Sequence, residues 1–181
     1  SDTEEVVRYL LKTYHKKKII LVGHSWGSFL GVSVVKAHPE LFYAYVGVGQ
    51  VVNMRRNEAQ SYALAMQAAK DHGDQASVDA LKALAPYPGA SGPIEWRKTG
   101  AERQVVVKYG GMEYARTEDD DGPIFAASPA YDAKDVAAAP AATGRVVAAL
   151  WPELSEIDLG PVTRLDVPVF LFAGRNDLTT P

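Results

Sequence analysis

Gly23-His24-Ser25-Trp26-Gly27 sets a serine between two glycines at the spacing G-x-S-x-G. A serine hydroxyl attacks a carbonyl only when a base takes its proton and donors receive the charge that develops on the carbonyl oxygen. The spacing suits that chemistry. A serine on a sharp strand-to-helix turn projects its hydroxyl from the carboxyl edge of a sheet, and flanking glycines let the backbone turn without side-chain clashes. The helix that follows aims its amino end at the reacting carbonyl, which makes the Trp26 backbone N–H an expected oxyanion donor. Three fixed positions recur by chance about once in 15 chains of this size, so the surrounding elements must carry the reading. The plain alternative is a glycine-rich turn that binds nothing.

A nucleophilic serine needs a base, and the base needs a carboxylate to orient it. On such a sheet the acid follows the serine in the chain, and the histidine follows the acid. Asp177, in Ala173-Gly174-Arg175-Asn176-Asp177, stands just past an apolar run and is the acid candidate. A loop-capping aspartate is its alternative reading. Asp166 precedes the same run, at the opposite edge, and reads as a turn residue. The four histidines are His15, His24, His38 and His72, and none follows Asp177. By this order the base is absent from the chain, and His24 is expected to point away from the serine's face. Gln50 and Asn53 follow an apolar run at the same expected edge and are substrate-pocket candidates, with ordinary turn chemistry as the alternative.

The elements needed to hold these residues are legible. Residues 1–18 read as an amphipathic helix capped by Ser1 or Asp2, with Val6, Val7, Leu10, Leu11 and Tyr14 on one stripe. Lys16, Lys17 and Lys18 close it as a solvated end. Ile19-Ile20-Leu21-Val22 has no alternation, the pattern of a strand buried on both faces of a parallel sheet. A helix fits from Trp26 to about Lys36 and ends before Pro39; Tyr43 to Val48 reads as a second buried strand. Strand, helix, strand in this order is a βαβ unit. Residues 53–165 read as a helical insertion, with helices over Glu58–Asp71 and Ser77–Leu84, a Pro/Gly loop near Pro86–Pro93 and an alanine-rich stretch interrupted by Pro140. Val167 to Ala173 is the next strand.

Composition narrows the partners. Nineteen basic and 22 acidic residues leave a net charge of −3, with no electrostatic footprint for nucleic acid. The absence of cysteine excludes disulfides, thiolate metal sites and cysteine catalysis. Glu118 to Asp121 lacks the alternating spacing of a calcium loop, so neither a metal nor any other cofactor is expected. No apolar run approaches the roughly 18 residues of a membrane span. The acidic start, unlike a signal peptide, leads to an expectation of a cytoplasmic protein.

Val22-Gly23-His24-Ser25-Trp26-Gly27-Ser28 and Leu171-Phe172-Ala173-Gly174-Arg175-Asn176-Asp177 resemble the nucleophile and acid segments of the α/β-hydrolase superfamily. The Ser-Trp-Gly-Ser elbow followed by a helical insertion is most similar to the proline iminopeptidase-like, or serine aminopeptidase, branch. The resemblance implies an α/β fold: part of the hydrolase parallel sheet with helices on both faces and a mainly helical cap. Residues 1–52 and 166–181 would be hydrolase core and 53–165 the cap. Family members carry further strands and a glycine-rich loop before the elbow, and a histidine after the acid. The expectation is therefore an internal segment of a longer enzyme, with an exposed sheet edge open to self-association.

The implied activity is cleavage of an ester or amide, including an N-terminal peptide bond, in a small molecule or short peptide, through an acyl-enzyme at Ser25. The alternative is a non-catalytic segment. In the aminopeptidase reading acidic cap residues would hold the substrate's amino end; Glu58, Glu95 and Glu113 are available, each more simply read as solvated. Tyr62, Trp96 and Trp151 read as core packing before pocket lining.

Overall fold

The computed structural model describes residues 1–116 and 122–181; the acidic run 118–121 lies outside them. Three parallel strands, β1 (Ile19–His24), β2 (Phe42–Val48) and β3 (Val169–Phe172), stand side by side in chain order. Gly23 is level with Gly47, and Gly47 with Leu171, so all three strands end at one carboxyl edge.

Helices α1 (Asp2–Thr13) and α2 (Trp26–Ala37) cover one sheet face. Val7 of α1 and Val32 and Val35 of α2 pack with Phe42 and Tyr45, and Leu21 joins them. The expected helices on both faces are therefore seen on one face among the described residues. This corrects the reading of β1 as buried on both sides: Ile20, Val22, Phe170 and Phe172, on the other face, are 53–61% exposed. Side chains alternate across a strand, so a layer on one face cannot shield every second residue. The stripe on α1 is narrower than expected as well. Of its residues only Val7 is buried, Ser1 makes no side-chain cap bond, and the helix ends before the lysine run.

Between β2 and β3 lie α3 (Met54–Asp71), α4 (Gln75–Lys82), α5 (Trp96–Lys108), α6 (Gly122–Ala127) and α7 (Ala133–Leu154). Ala65, Leu81, Val105 and Val106 form the core shared by α3, α4 and α5. The chain then returns to the sheet. Leu159 N–H donates to Val52 O at 2.7 Å, and Leu159, Val162 and Leu165 join the core beneath the sheet. No described helix is long and apolar enough to cross a membrane.

Asp74 ties α4 to α5. Its Oδ1 accepts from Ser77 N–H at 3.1 Å, and its Oδ2 accepts from Ser77 Oγ at 2.6 Å, Tyr109 Oη at 2.7 Å and Lys108 Nζ. The Lys108 hydrogen bond, then those from Ser77 and Tyr109, hold this carboxyl well below its ordinary range. A depressed acid contributes stability above its unfolded pKa, about 3.9 for aspartate, and loses it as pH falls toward the folded value. Asp74→Asn is thus expected to lower the melting temperature at pH 7 and to shrink the difference between pH 7 and pH 3. Thermal melts at the two pH values read this, and an unchanged difference would contradict it.

Candidate active site

The turn between β1 and α2 is sharp because Ser25 stands at φ 50°, ψ −122°, a conformation that side-chain-bearing residues adopt only under constraint from their surroundings. The constraint is visible. Ser25 N–H donates to Val48 O at 2.9 Å, and Ser28 donates to Ser25 O through both its N–H and its Oγ. Val51 N–H donates to Ser28 Oγ at 3.0 Å, so the start of α2 is tied to the end of β2. Beneath lies the Tyr45 hydroxyl, 2.7 Å from both Ser28 O and Gln50 Oε1. Burial pushes this phenol up to about 12, which keeps it protonated at neutral pH.

The two glycines of the motif differ. A Cβ on Gly23 would stand 2.7 Å from Gly27 O and 2.8 Å from Ser28 Cα, both backbone atoms with no room to yield. A Cβ on Gly27 would meet nothing within 4 Å. The first glycine lets α2 fold back over β1; the second leaves open space beside the serine. Gly23→Ala is expected to displace the turn and lower the melting temperature sharply, whereas Gly27→Ala should fold as the parent does. Equal melting temperatures for the two variants would contradict this account.

Asp177 reaches the same edge. Gly49 N–H donates to Phe172 O at 2.9 Å, one residue beyond the carbonyl that receives Ser25 N–H. Gly49, at φ 56°, leaves so little room that a Cβ there would stand 2.6 Å from Thr180 Oγ1 and 3.7 Å from Asp177 Oδ2. The carboxylate is held by its own turn. Oδ1 accepts from Thr179 and Thr180 N–H, each at 2.8 Å, and Oδ2 accepts from Thr180 Oγ1 at 2.7 Å. Beside it opens a cavity of about 350 Å³ lined by His24, Val48, Gly49, Met112, Tyr114 and Asp177, among others.

The histidines are distributed as follows. His24 lines that cavity. His38 sits between Glu4 and Glu40, at 3.1 and 3.4 Å. His72 stacks on Tyr109, 4.8 Å between ring centres, and His15 turns the chain after α1 at φ 52°.

Trp26 is the first residue of α2, where backbone N–H groups have no partner within the helix. Its indole packs toward Phe29, Val51, Met54 and Trp151, and its Nε1 is buried with no hydrogen-bond partner among the described residues. Gln50 accepts from Tyr45 and donates to Val51 O at 2.9 Å; Asn53 caps α3 by accepting from Arg56 N–H at 2.9 Å. Neither lines the cavity beside Asp177.

Glu58 corrects the solvated reading. It is 0% exposed, as is Glu102, and Arg103 bridges the two carboxylates. Ser61 Oγ donates to Glu102 at 2.8 Å, and Tyr87 Oη donates to Glu58. Burial raises the Glu102 carboxyl above its ordinary value, with Arg103 opposing that shift. Burial raises the Tyr87 phenol, with the charge on Glu58 adding to it. Glu95 and Glu113 stay at the surface, paired with Lys98 and Arg116. Trp151 is core, donating from Nε1 to Ile94 O at 2.7 Å, and Tyr62 packs against Tyr87. The clustering of Glu58 with Glu102 and Arg103 escaped the sequence reading because a buried ion cluster carries the same residue types as a wet helix face. Among the described residues no group of three or more His, Asp or Glu is placed to hold a metal ion.

A model of the alpha/beta hydrolase fold family matches residues 1–181. Over 61 residues the chain is 46% identical to the probable aminopeptidase YbaC of Bacillus subtilis (strain 168). That match covers 34% of this chain and 19% of the relative, so the matched stretch spans about a fifth of that protein. No solved structure matches the chain.

Proposed function

This chain belongs to the alpha/beta hydrolase fold family, and from that premise we propose that it carries the nucleophile and the acid of a serine hydrolase acting on an ester or amide. The observation that carries the reading is the turn at Ser25, held at φ 50° at the amino end of α2. Asp177 follows β3 at the same sheet edge, with β2 between it and the Ser25 strand. The similarity to a probable aminopeptidase supports short peptides with a free amino end as the substrate class.

In this reading Ser25 Oγ attacks the carbonyl carbon while an imidazole takes its proton. The oxygen's new charge is held by Trp26 N–H at the positive end of α2. The imidazole returns the proton to the leaving amine or alcohol as the carbonyl re-forms, leaving an ester on Ser25. Water, activated by the same base, then releases the acid and restores the hydroxyl. Asp177 orients the imidazole. None of His15, His24, His38 and His72 has the family's order relative to Asp177, so the imidazole of this reading is assigned to none of them. That order also favours the second reading, a chain with no turnover by itself.

Glu58 is engaged with Arg103 and Tyr87, which leaves it poorly placed to receive a substrate amine. The test uses p-nitrophenyl esters and aminoacyl p-nitroanilides with added imidazole, following chromophore release and the intact mass of the chain. The reading expects an acyl adduct on the parent and none on Ser25→Ala. Equal release by parent and variant, with no adduct, would overturn it.

A further inference from the structure

The turn that holds the acid is fastened to the cap rather than to the sheet alone. Gly111, just past α5, accepts from Leu178 N–H at 2.8 Å and from Thr179 Oγ1 at 3.3 Å. Asn57, in the first turns of α3, donates from Nδ2 to Thr179 O at 2.9 Å. Between these two bonds Leu178 packs against the cap core of Ala65, Leu81, Val105 and Val106. The fit is close: a Cβ on Gly111 would stand 2.5–2.7 Å from three Leu178 side-chain carbons.

The two anchors are themselves held. Gly111 N–H donates to Val106 O at 2.9 Å, and Gly110 N–H donates to Val107 O at 2.8 Å, so the accepting carbonyl is held to the end of α5. Asn57 Nδ2 also lies 3.3 Å from Glu58 Oε1, in the buried cluster that joins α3 to α5 through Arg103. A shift of α3 or α5 would therefore carry Leu178 and Thr179 with it. Thr179 N–H is one of the donors that fix Asp177 Oδ1, so the carboxylate would move as well.

We infer that Asn57 and Gly111 are positioning residues for Asp177, and that the cap, through them, sets the alignment of the acid. The chemical half of this inference rests on Asp177 acting as proposed above; the structural half does not. A cap that closes over substrate would then also bring the acid into place, coupling substrate capture to activation of the serine.

The test is made on the full 181-residue chain with Asn57→Ala and Gly111→Ala. Amide hydrogen exchange over residues 174–181 reads the fastening, and it requires no activity. Exchange there is expected to rise about tenfold or more, the loss of one or two hydrogen bonds from a locally opening segment, while α3 and α5 keep their protection. The second readout is modification of Ser25 by a fluorophosphonate with imidazole present, followed over a range of probe concentrations. The limiting rate is expected to fall, with the half-saturating concentration unchanged.

Unchanged exchange in both variants would overturn the inference. Faster exchange with an unaltered limiting rate would overturn the positioning role. If Gly111→Ala does not fold, Asn57→Ala decides, since it only removes a donor. Failure to modify Ser25 in the unsubstituted chain would instead sink the proposed function and the chemical half together, with exchange still deciding the fastening.

Discussion

Arg103→Ala is expected to unfold the packed helices α3, α4 and α5 at temperatures where the parent is intact. Glu58 and Glu102 are both 0% exposed, and the Arg103 side chain, 16% exposed, is the cation between them. Removing one partner of a buried ion pair leaves a charge with neither water nor counter-ion, at a cost of roughly 3–5 kcal/mol. Domains are stable by only about 5–15 kcal/mol in total. Here two carboxylates are stranded, and protonation relieves one of them only in part. The cost also falls where α3 meets α5, so the core of Ala65, Leu81 and Val106 opens with it.

Glu102→Gln should be far milder. Burial already raises the Glu102 carboxyl, and an acid raised on folding contributes stability below its unfolded pKa, about 4.3, and loses it as pH rises through the folded value. The amide removes that loss and keeps one acceptor oxygen for Arg103, while its N–H can donate to Ser61 Oγ. Circular dichroism melts of the three proteins compare them directly. A melting temperature for Arg103→Ala within a degree or two of the parent's would contradict this account.

The sequence disclosed the sheet and the elbow because their signals are local. Ile19 to Val22, the G-x-S-x-G turn and the helix beginning at Trp26 are contiguous, and each follows from steric rules acting within a few residues. The one-sided cover of β1 was not legible. An apolar run states what a strand tolerates on both faces, not which neighbours are there. Helix α5 was missed because its buried side includes Thr99 and Glu102, polar residues that break an apolar stripe and are satisfied only by partners on other elements. Pro140 lies in the alanine-rich stretch that carried no helix assignment, yet α7 runs through it. Its face is largely exposed, so the lost hydrogen bond is open to water. The fastening of the acid turn by Asn57 and Gly111 joins residues 122 and 68 positions apart in sequence from their partners, beyond the reach of any local pattern.

Ser25 is expected to react with a fluorophosphonate only slowly in plain buffer and about tenfold or more faster with imidazole added. A positioned general base contributes about 10²–10⁴-fold, and a free one forfeits part of that through its lost orientation. The cavity of about 350 Å³ beside Asp177 offers it a place next to the carboxylate. Asp177→Ala should keep the slow reaction and lose most of the imidazole response, because in the proposed mechanism the acid acts only through the base it orients. Ser25→Ala should take no label under any condition.

Intact mass after labelling, for the parent, Ser25→Ala, Asp177→Ala and His24→Ala with and without imidazole, tests the pairing of Ser25 with Asp177 most directly. The account predicts one adduct on the parent, accelerated by imidazole, absent in Ser25→Ala and with most of the imidazole acceleration lost in Asp177→Ala. An imidazole response as large in Asp177→Ala as in the parent, or fast labelling without imidazole that disappears in His24→Ala, would contradict it.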